Sequence, residues 1–149
     1  MNFLMSLVPS KGQGPVADWY LSSENIYEPV YPINVKEEVW FANEEGLLIR
    51  FDGWNVTDVE NISEEVEAVR ITSVKGLKSY FFKETELVAN CSDWEKSAAF
   101  PDEGIIYREL CVFAEQEFTN RITVNAEGAI VELRFMLYPN KEYFFLRPM

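Results

Sequence analysis

The side chains in this chain that could do chemistry are almost all carboxylates. Asp52 lies two residues from Trp54, and Trp40 lies four residues from Glu44. An acid beside an aromatic ring is what a glycosidase uses when one carboxyl has a raised pKa and a ring stacks on the sugar. With 25 Asp and Glu among 149 residues, such neighbours arise by chance, so the spacing alone assigns no catalyst. Asp52, Asn55, Thr57 and Asp58 bring oxygen ligands close together in sequence, but without the EF-hand spacing of a calcium loop, and no metal site is expected. The chain has no histidine. That removes Ser-His-Asp and Cys-His nucleophile activation, imidazole base catalysis and every His-containing metal site. Dinucleotide, P-loop and Cys-x-x-Cys patterns are also missing, so no cofactor and no enzyme activity are expected.

Two cysteines, Cys91 and Cys111, allow at most one disulfide. Each falls in an apolar setting, and the expectation is two buried free thiols. The apolar start Met1–Val8 has no basic residue and is cut short by Pro9, which makes a poor secretory signal. No run approaches the roughly 20 apolar residues of a membrane-spanning helix. The chain is therefore expected to be cytoplasmic and not to bind a membrane. Three glycosylation sequons, at Asn55, Asn61 and Asn90, are taken as chance matches on the same ground.

The elements that must position these groups read mainly as strands. Residues 1–16 carry two prolines and two glycines and no period, and are expected to form a loose arm before a single globular domain over 17–149. Val39–Phe41 and Leu47–Phe51 flank Asn43-Glu-Glu-Gly46, a hairpin signature. Asn125-Ala-Glu-Gly128 makes a second turn of the same kind. Pro29 and Pro32 confine their stretch to an edge or a bend. Ile130–Leu137 alternates well enough to be a central strand. One segment changes period: Leu87, Val88, Cys91 and Trp94 line one helical face, with Thr85 as cap and Pro101 as stop. The expected class is α+β, predominantly antiparallel, with about eight short hairpin-rich strands and one helix near residues 85–98.

Charge is unevenly distributed. The formal net charge is −12, and residues 18–67 hold thirteen acids against Lys36 and Arg50 alone. The same third carries Trp19, Trp40 and Trp54. Affinity for nucleic acid comes largely from Lys and Arg, so a nucleic-acid partner is not expected. Aromatic anchors ringed by charge of one sign suit a protein interface. The expected site is the hairpin and following loop: Trp40, Glu44, Glu45, Asp52, Trp54, Asp58 and Glu60. The expected function is that of a small acidic inhibitor or immunity-type protein that occludes a basic partner such as a nuclease toxin. The alternatives are a β-barrel-like protein holding a small apolar ligand, and a structural or assembly subunit.

Overall fold

The computed structural model describes residues 18–100 and 104–149, with the side chains of 98–100 left aside. The expected arm over 1–16 lies outside the described residues. Thirteen strands follow in chain order: β1 (Trp19–Ser23), β2 (Ile26–Val35), β3 (Glu38–Ala42), β4 (Leu48–Phe51), β5 (Val56–Glu60), β6 (Ala68–Val74), β7 (Leu77–Phe82), β8 (Thr85–Cys91), β9 (Glu95–Phe100), β10 (Gly104–Phe113), β11 (Gln116–Val124), β12 (Ile130–Met136) and β13 (Tyr143–Pro148). All pairings are antiparallel, and β10 meets β11, so twelve strands close into a barrel with β9 as an extra strand. Closure removes the free edges that an open sheet of short strands would expose.

The expected α+β class is corrected: among the described residues there is no helix, and the strands number thirteen. The segment read as a helix is β8 and β9. Ala89 is buried and Val88 is 42% exposed, so Leu87, Ala89 and Cys91 face inward with period two. The helical reading counted Val88 as core and passed over Ala89. β8 and β9 run in the same sense along one edge of β10, broken at Ser92–Trp94. They are two lengths of one interrupted strand.

The alternation that builds the barrel is legible elsewhere. In β12, Leu133 and Phe135 are buried while Glu132 and Arg134 point out, and the strand sits between β11 and β13. Pro29 and Pro32 lie inside β2, but β1 covers only Ile26–Val30 and β3 only Tyr31–Val35. Each proline therefore has a neighbouring strand on one side only, and its missing N–H is tolerated. Both hairpin turns share one geometry. Asn43 Oδ1 accepts the N–H of Glu45 and Leu47, and Asn125 Oδ1 accepts those of Glu127 and Ala129.

Large side chains fill the interior: Trp19, Phe41, Phe51, Tyr80, Phe118, Phe135 and Phe144 are all buried. Phe51 and Phe135, which follow those two turns, meet inside at 6.3 Å between ring centroids. Charged side chains are carried mostly on the outer wall. No helix among the described residues is long and apolar enough to cross a membrane.

Candidate functional site

Three polar residues break the apolar rule inside the barrel: Lys78, Glu109 and Asn120. Strand phase puts them there. Lys78 alternates with Tyr80 on β7, Glu109 with Cys111 on β10, and Asn120 with Phe118 and Ile122 on β11. Lys78 Nζ pairs with Glu109 Oε1 at 2.5 Å, with side chains 2% and 6% exposed. The same ammonium donates to Asn55 Oδ1 at 3.0 Å, and Trp94 Nε1 donates to that oxygen at 3.3 Å. Asn120 Nδ2 donates to Glu109 Oε1 at 2.9 Å, and Asn120 Oδ1 accepts the N–H of Met136 at 2.9 Å. The network thus runs unbroken from the β4–β5 turn to β12.

Two charges taken out of water are tolerated when they are paired and hydrogen-bonded, and even then they are weak contributors to stability. Burial pulls the Lys78 ammonium below its ordinary pKa, against the pull of the Glu109 carboxylate. Burial, reinforced by the Glu109 charge, pushes the Tyr80 phenol up, while its hydrogen bond with Asn120 works the other way. A cluster of perturbed titratable groups at a cavity is a physical marker of a functional site.

The pair forms part of the wall of such a cavity. A space of about 240 Å³ is bounded by Asn55, Lys78, Glu109, Trp94, Cys91 and the β6–β7 turn. That turn, Lys75-Gly76, joins strands paired at Val74 and Leu77, with positive φ at both residues (49° and 82°), which Gly76 accepts without a Cβ penalty. Aromatic rings back the site. Trp94 lies 5.7 Å from Trp54 and 5.8 Å from Phe135, and Trp54 meets Tyr107 edge-on at 5.4 Å. Cys91 and Cys111 form a disulfide across β8 and β10, with their Cα atoms 4.0 Å apart. This corrects the expected free thiols: inward phase on adjacent strands set the two cysteines opposite each other. Their sulfurs and the Glu109 carboxylate lie within 4.8 Å of one another.

The residues singled out from sequence are dispersed. Glu44 and Glu45 occupy the exposed β3–β4 turn at one end of the barrel. Asp52 and Trp54 occupy the β4–β5 turn at the other, where Asp52 Oδ1 accepts the N–H of Trp54 and Asn55. Trp54 packs against Trp94, which lines the cavity, but neither Trp54 nor Asp52 borders it. Trp40 and Asp58 lie on the outer wall around Arg50, whose guanidinium sits 4.9 Å over the Trp40 ring and 3.5 Å from Asp58 Oδ2. Glu60 closes β5, opposite Leu48 and Ala68. The sequence reading missed Lys78, Glu109 and Asn120. The available signal was a charge in phase with aromatics on a strand.

No protein-family model matches the chain, and no curated protein matches it in sequence. Its fold is similar to the crystal structure of the hypothetical lipoprotein YmcC from Escherichia coli (K12), with a TM-score of 0.56. The alignment covers 87% of this chain and 80% of that one at 11% identity, a likeness of fold alone.

Proposed function

We propose that this barrel is a binding protein for a small polar ligand, seated in the cavity beside Lys78 and Glu109. The observation that carries the reading is the buried Lys78–Glu109 pair, hydrogen-bonded to Asn55 and Asn120, in the wall of a cavity of about 240 Å³. An ammonium, a carboxylate and an indole side by side suit a ligand with its own donor and acceptor, rather than the purely apolar ligand expected of an aromatic-rich barrel. The acids of the first third sit at both ends and along the outer wall, which favours this cavity over an acidic interface. The reading is one of binding, not of turnover. The disulfide favours an oxidising compartment, and we place the protein there in preference to the cytosol.

The test is a thermal-shift screen with small zwitterions, carboxylates and alcohols that fit the cavity, backed by native mass spectrometry. At least one class is expected to raise the Tm of the wild type and to lose that effect in Lys78→Met/Glu109→Leu. If no class shifts the wild type, or if the double variant shifts equally, the cavity is not the binding site.

A further inference from the structure

We propose that the Cys91–Cys111 disulfide is a redox latch: its reduction frees β8 from β10 and opens the barrel wall beside the Lys78–Glu109 pair. The proposal adds a regulator to the cavity described above, but its test uses no ligand, so the two can fail separately.

The seam between β8 and β10 is short. Cys111 faces Cys91 and Val112 faces Asn90, and the ladder ends there. On its other side β8 is paired with β7 over the whole length from Leu77↔Asn90 to Phe82↔Thr85. β10 is likewise paired with β11 from Ile105 to Phe113. Just beyond the seam, Ser92 N–H donates to the Leu110 carbonyl at 2.8 Å and the Ser92 hydroxyl accepts the Leu110 N–H at 3.0 Å. The chain then breaks from ladder geometry before β9.

Apolar packing holds β8 weakly. Its inward positions are Leu87, Ala89 and Cys91, of which only the small Ala89 is fully buried. The cross-link supplies what a larger inward side chain would supply on another strand. Without it, two opposed residue pairs, the two Ser92–Leu110 hydrogen bonds, the small Ala89 and the partly buried Leu87 must keep β8 against β10.

The latch is accessible from one side. Cys91 is half-buried and borders the cavity, while Cys111 is fully buried. A small dithiol entering the cavity attacks Cys91 Sγ as its thiolate, and Cys111 leaves as a thiolate that takes up a proton. The second thiol of the reagent then displaces Cys91 and closes to a cyclic disulfide. Two electrons pass to the protein and two protein thiols result. With the bridge gone, the β8–β10 seam opens next to Glu109, and Lys78 gains access to solvent.

Hydrogen exchange read by mass spectrometry, with and without dithiothreitol, tests the latch. Reduction is expected to speed exchange by about tenfold or more in residues 85–91 and 108–113 while β1–β5 and β12–β13 keep their protection. Acetylation of Lys78 by an N-hydroxysuccinimide ester should accelerate in parallel, against exposed Lys83 as the reference. Cys91→Ala/Cys111→Ala should reproduce both changes without reductant. Unchanged exchange and Lys78 labelling in the reduced protein would overturn the proposal. So would loss of protection across the whole barrel, which would make the bridge a global staple and not a latch. If the double variant does not fold, the reduced wild type decides alone.

Discussion

Two charge networks on neighbouring parts of this barrel use the same chemistry to different effect. On the outer wall, Arg50 bridges Glu38 at 3.0 Å and Asp58 at 3.5 Å, with Arg70 opposite Asp58 and the rings of Trp40 and Phe81 under the two guanidinium groups. These carboxylates and Arg50 keep roughly a quarter to a third of their side chains in water. Inside, Lys78 and Glu109 keep almost none. Water and salt screen the first network, so each of its links contributes little; the second is held by mutual dependence. An acidic composition therefore indicates where solvent is met. The few charges that avoid solvent mark the candidate site.

Removing one inner partner gives the largest expected effect. Glu109→Leu leaves Lys78 buried without its counter-charge and should cost about 3–5 kcal/mol in urea unfolding. Adding Lys78→Met should restore most of that loss, because a well-packed apolar pair often replaces a buried ion pair at no net cost. A double variant as unstable as the single one would mean that the pair is a structural requirement, and the contrast with the outer wall would shrink to one of degree.

The outer network should respond far less. Arg50→Gln is expected to lower stability by no more than about 1 kcal/mol, with the difference narrowing as salt is added. A salt-independent loss as large as that of Glu109→Leu would remove the contrast.

The smallest effects appear in acid. Glu132, on the far outer wall, is pushed up by burial but held lower overall by hydrogen bonds from Arg121 and Arg147, below its ordinary value of 4.5. A carboxyl with a depressed folded pKa stabilises the fold above its unfolded pKa, and that contribution is lost as pH falls through the folded value. Asp58 has the opposite sign. Burial, outweighing Arg50, raises it above 3.8, so its charge weighs against the fold at neutral pH and protonation on acidification relieves the penalty. Melting curves from pH 6 down to pH 3 should therefore show a shallower acid loss in Glu132→Gln and a steeper one in Asp58→Asn. Matching slopes in the two variants would show that these networks do not govern the acid limb.

The turns and most strands were legible because they depend on local chemistry. Asn43 and Asn125 bond their own backbone two and four residues on, and that needs nothing distant. The helical reading of β8 arises because Leu87 and Cys91, four apart, fit both periods, and Trp94 beyond the strand's end adds a helical spacing. Only burial of Ala89 and exposure of Val88 decide between them. The inner site was illegible for a related reason. On β7, Lys78 shares its phase with Tyr80 while Leu77 holds the outward phase, and on β10 Arg108 and Glu109 place one charge in each. Which phase faces inward is fixed by strand neighbours tens of residues away. The disulfide hid behind the apolar setting of each cysteine, since inward-facing cysteines on adjacent strands become partners only once the barrel closes.

The Cys91–Cys111 bond also makes the chain covalently circular over the stretch that contains β9 and most of β10. A protease that cuts once inside that ring adds a molecule of water but releases no fragment. The two pieces separate only when thiol is added. Nicking within this stretch is thus silent on a non-reducing gel, because the disulfide keeps the two pieces covalently joined.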